Sequence, residues 1–105
     1  MSSEITYNLT AKISLLPTDL GGRKKSVYTG YKPSFSFNTL NHYSGEIRLV
    51  SKQELRPGHS AAAIIKLLPA RTLRRSLKPN DSFIIMEGGK TVGTGIIEKV
   101  KIIAE

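Results

Sequence analysis

The sequence predicts an all-β fold, a closed six-stranded antiparallel β-barrel, in a single domain spanning residues 1–105. Three observations carry this prediction: apolar and polar residues alternate over long stretches, Gly and Pro turn signals separate them, and no long helical pattern occurs. A chain of 105 residues fits one domain with one modest core. Because closure pairs every strand on both sides, a barrel is the expected way to remove the edges of such a sheet.

The first predicted strand has the clearest pattern. Apolar residues occupy every second position from Ile5 to Leu15, so one face of this segment should be buried. Pro17 ends the strand, because proline cannot donate a hydrogen bond to a neighbouring strand. Residues 19–25 are predicted to be a loop, since they combine two glycines with charged residues.

The middle of the chain predicts three further strands. One begins after Pro33, where residues 35–39 alternate, and another covers residues 46–49. Residues 41–45 are predicted to turn the chain between them. Residues 61–68 are ambiguous, because their alanines favour helix. Turn signals on both sides leave only the length of a strand, so we interpret this run as a strand.

The C-terminal part predicts a hairpin. Residues 82–87 form a short strand, Gly88-Gly89 form the turn, and residues 91–103 form the last strand. Gly93 and Gly95 lie inside that last strand, where glycine indicates a bulge or the close approach of another group.

The excess positive charge lies in two segments. The net charge is +8; residues 23–32 and 71–78 each carry four basic residues and no acid, and the rest of the chain is neutral. The basic residues are Arg23, Lys24, Lys25 and Lys32 in the first segment and Arg71, Arg74, Arg75 and Lys78 in the second. Both segments are predicted to be loops, with at most one helical turn in residues 70–78. Such loops either neutralise phosphates of a polyanion or simply stay solvated, and both interpretations are open.

The sequence contains no pattern for catalysis, metal binding or nucleotide binding. Gly89-Lys90-Thr91 imitates the end of a phosphate-binding loop, but Ile84 stands where that motif needs glycine, and a strand follows instead of a helix. Cysteine is absent, and the acidic residues occur singly. We therefore predict no enzyme activity, no cofactor and no metal. With no apolar run of membrane-spanning length and no secretory signal, we expect no membrane association and a cytoplasmic location.

Three stretches of the chain resemble the third, C-terminal domain of elongation factor Tu. They are Gly21-Gly22-Arg23 with residues 30–37, Ser44-Gly45-Glu46-Ile47 with Pro57-Gly58, and residues 87–97, whose string EGGKTVGTGII is the most specific. Together they cover nearly the whole chain, about residues 4–101. The resemblance implies a six-stranded antiparallel barrel, in agreement with the strand count. It also implies a barrel that stands alone, without the GTPase domain.

The resemblance further implies contacts with RNA. In the family this barrel packs on the GTPase domain, grips the T-stem of aminoacyl-tRNA and meets the nucleotide-exchange factor. Matched position by position, the RNA-facing residues are Arg23, Lys24, Ser44 and Gly88, which supply two cations, a hydroxyl and a backbone N–H. The GTP site of the family belongs to another domain, so we expect no GTP binding by this barrel.

The chain also departs from the family pattern. Ser34 stands where the family has glutamine, Leu68 where some members have lysine, and Met86 where the family has arginine. Residues 69–81 are several residues longer than in the family and carry the second basic segment.

Two hypotheses for the function remain open. The first is a non-catalytic module that binds tRNA or ribosomal RNA through the matched positions and through Arg71, Arg74, Arg75 and Lys78. The second is a module that docks on a GTPase domain or another protein without binding RNA. Convergence of both basic segments on one face with Ser44 and Gly88 would favour the first, and placement on opposite sides the second. A decoy encoded beside an effector is a third, for which the sequence offers no direct support.

Overall fold

The computed structural model describes residues 5–37, 42–68 and 77–104, and within them the chain forms eight strands. In chain order these are β1 Ile5–Leu15, β2 Val27–Tyr28, β3 Ser34–Ser36, β4 Tyr43–Leu49, β5 Glu54–Leu55, β6 Ser60–Leu67, β7 Ser82–Glu87 and β8 Lys90–Ala104. Six of them close into an antiparallel barrel in the order β1-β6-β4-β3-β7-β8, with β8 pairing back onto β1. The predicted closed six-stranded barrel is therefore confirmed.

The ambiguous run at residues 61–68 is a strand, as predicted. Buried and exposed residues alternate without interruption along β6, which shows that the alanines and isoleucines follow a period of two. The hairpin at Gly88-Gly89 is also confirmed, because Glu87 pairs with Lys90 on either side of it. No helix in the described ranges is long and apolar enough to cross a membrane.

Three details differ from the prediction. Residues 43–45 are not a turn, because Tyr43 and Ser44 already pair with β3 at the start of β4. The loop after β1 contains a short 3-10 helix at Thr18–Leu20. β2 and β5 form a separate two-stranded ribbon, which the sequence does not show because two residues per strand give no alternation to detect. Residues 71–76 of the second basic segment lie outside the described residues.

The barrel interior holds the core and explains the strand glycines. Phe83 packs edge-on against Phe35 and tilted against Phe37, with ring centroids 5.9 and 5.5 Å apart. A Cβ atom on Gly95 would lie 2.1 Å from Cζ of Phe83, and one on Gly93 would lie 2.6 Å from the Ser14 carbonyl oxygen. Both strand glycines therefore mark close approaches. The register also shifts beside Gly93, because Ile85 pairs with Gly93 while Met86 pairs with Thr91, so both alternatives that the sequence predicted occur.

Candidate functional site

The matched position Ser44 and the three positions that depart from the family pattern form one row across neighbouring chain segments. The Leu68 N–H donates to the Ser44 carbonyl at 2.9 Å, Ser44 pairs with Ser34, and Ser34 pairs with Met86. Residues paired in this way point to the same face of a sheet. Strands lie about 4.8 Å apart, so the row spans roughly 14 Å of the outer surface. We call Leu68, Ser44, Ser34 and Met86 the serine row.

Arg23 lies at the Met86 end of the serine row and is held by several partners. Its Nε lies 3.1 Å from Oε2 of Glu87, and its Nη1 donates to the carbonyls of Lys25 and Ser26, each at 3.1 Å. Its guanidinium carbon lies 4.9 Å from the centroid of the Tyr31 ring. Tyr31 in turn donates its hydroxyl to Oε2 of Glu87 at 2.5 Å. We call Arg23, Tyr31 and Glu87 the arginine cluster.

The environment of Tyr31 keeps its hydroxyl protonated. Burial raises the pKa of Tyr31 well above its ordinary value; the hydrogen bond to Glu87 and the charge of that carboxylate raise it further, while Arg23 lowers it. Tyr31 is therefore a neutral donor to Glu87 at physiological pH. Because Glu87 matches the charge of Arg23, the arginine serves chiefly to fasten its loop to the β7–β8 hairpin.

The turn beside this cluster is uncovered. Gly88 and Gly89 have φ values of +59° and +79°, which glycine adopts without strain, and nothing lies within 4 Å of where a Cβ would stand on either. Lys90 is exposed directly after the turn, and Lys24 and Lys25 are exposed in the loop that follows Arg23. The side chains of these three lysines make no hydrogen bond or ion pair within the described part of the chain. We call this group, from Lys24 and Lys25 to Gly88 and Lys90, the turn corner.

The structure thus brings four predicted positions into one region. Gly88 follows Glu87 directly, Glu87 holds Arg23, and Lys24 is the next residue of the same loop. Ser44 belongs to the serine row, which reaches this region through Met86.

Lys78 does not join them. It lies before β7, where its backbone N–H donates to Oδ2 of Asp81 at 3.0 Å. Gly88 follows the opposite end of β7, and six strand residues separate the two ends by roughly 17–20 Å. Arg71, Arg74 and Arg75 lie outside the described residues. Convergence of the two basic segments on one face, which would favour RNA binding over docking on a protein, is therefore not found at Lys78.

Besides Lys12 on β1 and Lys90 at the start of β8, four further cations stand on the described strands, and the sequence analysis did not single them out. They are Arg48 on β4, Lys66 on β6, and Lys99 and Lys101 on β8, and all four are exposed. In the sequence they fall in the segments whose charge sums to zero. Their arrangement in adjacent rows on the outer surface follows only from the pairing of strands that are far apart in the chain. We call them the strand cations.

The class that the structure itself defines is a closed six-stranded antiparallel barrel. The comparison with protein families makes this specific. The family model "Elongation factor Tu C-terminal domain" matches residues 3–101. The chain belongs to this family, which confirms the resemblance seen in its glycine, aromatic and EGGKTVGTGII stretches.

Proposed function

We propose that this translation-factor-like module binds RNA, either tRNA or ribosomal RNA, along the serine row and the turn corner. The observation that supports this best is their continuity: two serine hydroxyls, an open glycine turn and unpaired lysines follow one another on the outer surface. A module with this role would work in the cytoplasm.

Each part of the site has a chemical counterpart in an RNA backbone. Lys24, Lys25 and Lys90 neutralise phosphates, and Ser34 and Ser44 exchange hydrogen bonds with ribose and phosphate oxygens. The uncovered backbone N–H groups of the glycine turn donate to a phosphate. Since none of these groups reads a base edge, binding should tolerate different sequences and stay modest. By analogy with DNA we expect a Kd on the order of 10⁻⁴–10⁻⁶ M at physiological salt.

A titration of labelled tRNA at two salt concentrations tests this proposal. Fluorescence anisotropy should show binding that weakens steeply between about 50 and 200 mM salt. Lys24→Gln should weaken binding several-fold and lower the salt slope by about one, because one phosphate contact is lost. Lys12→Gln is the matched control: it removes one charge from β1, where Lys12 pairs with Ile96 and Ala62.

Three outcomes would contradict RNA binding at the turn corner. They are no binding at low salt, binding without salt dependence, and equal losses from Lys24→Gln and Lys12→Gln.

A second candidate function, docking on a protein, has an observation of its own. Ile84 and Ile96 project from β7 and β8 with 40% and 51% of their surface exposed. Ile84 pairs with Thr94 and Ile96 pairs with Ser82, so the two isoleucines are diagonal neighbours on one face. Exposed apolar neighbours of this kind are typical of protein contact surfaces. The two isoleucines lie further along the hairpin from the Gly88-Gly89 turn than Lys90 does.

An elongation factor Tu GTPase domain supplied separately is the probe for this candidate. If the barrel docks on it, isothermal titration should give saturable binding that Ile96→Glu abolishes and Lys24→Gln leaves intact. Binding that survives Ile96→Glu, or no binding at all, counts against docking through the two isoleucines.

A further inference from the structure

We propose that the strand cations form a second RNA-backbone track beside the serine row, in which Asn8 accepts a hydrogen bond from a ribose 2′-hydroxyl. This inference rests on the proposed function, because it takes RNA as the ligand. It adds a surface, a discriminating residue and a preference for RNA over DNA that the turn corner does not supply.

The strand register places the four cations on the outer surface of four neighbouring strands. Asn8 on β1 pairs with both Lys101 and Lys66, and Lys66 pairs with Glu46. In the next outward row, Thr10 pairs with both Lys99 and Ile64, and Ile64 pairs with Arg48. Both rows run across β8, β1, β6 and β4, which form half of the closed ring, so the cations follow a strip about 14 Å long that curves around the barrel.

This patch adjoins the serine row directly. Lys66 stands two residues before Leu68 on β6, and Glu46 stands two residues after Ser44 on β4. Alternate residues of a strand share a face and lie about 6.7 Å apart. A backbone that follows the serine row therefore reaches Lys66 within one further step along the strand.

The charge of the patch is not neutralised internally. None of the strand cations makes a hydrogen bond or ion pair within the described ranges. The neighbouring acids are Glu46 and Glu98, so four positive charges face two negative ones. Because the strands already hold the backbone of these cations in place, binding a polyanion costs little backbone entropy.

Asn8 indicates which polyanion fits. It lines a depression of about 330 Å³ together with Glu46, Arg48, Ile64, Lys66 and Ile103. Its Oδ1 is screened from solvent and has no hydrogen-bond partner in the described structure. A buried acceptor without a partner is costly, so a ligand that brings a donor gains affinity there.

RNA supplies both the charge and the donor. Phosphates carry the charge that the lysines attract, and the adjacent ribose 2′-hydroxyl donates a hydrogen bond that DNA lacks. The side chains paired with Asn8 on both sides are Lys66 and Lys101, whose long stems rearrange easily. When their ammonium groups turn outward to phosphates, they uncover Oδ1 for the hydroxyl between those phosphates.

The test uses a labelled oligouridine RNA of about 12 nucleotides and the oligodeoxyuridine of the same length. Wild type should bind the RNA several-fold more tightly than the DNA. Asn8→Ala should remove this preference by weakening RNA binding while leaving DNA binding unchanged. Lys66→Gln should weaken both, whereas Lys52→Gln, of equal charge change, should weaken neither as much, because the Lys52 ammonium donates to the Ser60 carbonyl at the other end of β6. Asn8→Thr serves as a second variant if Asn8→Ala fails to fold, as judged by circular dichroism.

The outcomes separate this inference from the proposed function. If Lys24→Gln weakens RNA binding and Lys66→Gln does not, the second track is wrong while RNA binding at the turn corner stands. If the protein binds neither oligonucleotide nor tRNA, the second track and the proposed RNA binding at the turn corner are both wrong. Equal affinity of wild type for RNA and DNA, or tighter binding to an acidic peptide or to phosphatidylserine vesicles than to RNA, would also overturn it.

Discussion

Tyr31 holds the arginine cluster together, because its ring contacts Arg23 and its hydroxyl contacts Glu87. The carboxylate thereby receives donors from two segments of the chain, and the loop after the 3-10 helix is fastened to the β7–β8 hairpin. Lys24 and Lys25 directly follow Arg23, so the contact of Arg23 with Glu87 also holds their part of the loop near the hairpin. Arg23, which the resemblance matches to an RNA contact in the family, thus has a structural role here that the sequence does not reveal.

Tyr31→Phe should lower the free energy of unfolding by about 1 kcal/mol, because a charge-assisted but partly exposed hydrogen bond is lost. Urea unfolding followed by circular dichroism measures this. Tyr28→Phe is the matched control: its hydroxyl reaches Oε2 of Glu54 only at 3.5 Å on an exposed surface, so its loss should be smaller. An equal decrease in the free energy of unfolding in the two variants would show that the hydrogen bond from Tyr31 to Glu87 does not stabilise the protein.

The stability that Tyr31 contributes should also depend on pH. Its pKa is raised in the folded protein above the unfolded value of 10.0. As pH rises, the unfolded chain therefore releases this proton first, and the contribution is complete below about pH 10 and declines above it. The difference in unfolding free energy between wild type and Tyr31→Phe should shrink above that pH. A difference that stays constant up to pH 11 would contradict this.

Among the elements, the β7–β8 hairpin shows how a sequence string becomes a structure. The glycines at 88 and 89 turn the chain, and the glycine at 95 leaves space for the ring of Phe83 inside the barrel. Gly95→Ala should destabilise the protein by about 3 kcal/mol, since a core ring cannot move without losing its packing. Thr94→Ala, on the exposed face of the same strand, should cost less than about 1 kcal/mol.

A double-mutant cycle checks the cause of the Gly95 effect. In a Phe83→Leu background the ring is gone, so Gly95→Ala should cost less than it does in wild type. An undiminished cost in that background would show that the ring is not what the glycine accommodates.

The sequence predicted those elements whose pattern is local. Alternation over eleven residues identified β1, and flanking turn signals identified β6 in spite of its alanines. The sequence did not predict the β2–β5 ribbon, because its two-residue strands are defined only by their pairing with each other. The start of β4 was mistaken for a turn, because Ser44 and Gly45 are turn-forming residues that pairing with β3 and β6 holds extended.

At the scale of the whole molecule, the arrangement of charge is what the sequence could not supply. Counting along the chain places the excess in two segments, yet Lys78 lies away from the turn corner. The strand cations lie in segments whose charge sums to zero, yet the pairing places them in two adjacent rows on the outer surface. Local composition therefore predicts which charges exist, and the register decides which of them act together. The serine row depends in the same way on the register of β3 with β4 and β7.

The central claim is that RNA lies along the serine row and the surfaces beside it. Titrating ¹⁵N-labelled protein with an unlabelled tRNA, observed in ¹H–¹⁵N correlation spectra, tests this claim residue by residue. We expect the largest changes at the amides of Lys24, Ser44, Lys66 and Gly88, with Ile84 and Ile96 little affected. Changes confined to Ile84 and Ile96, or spectra that do not change, would contradict it.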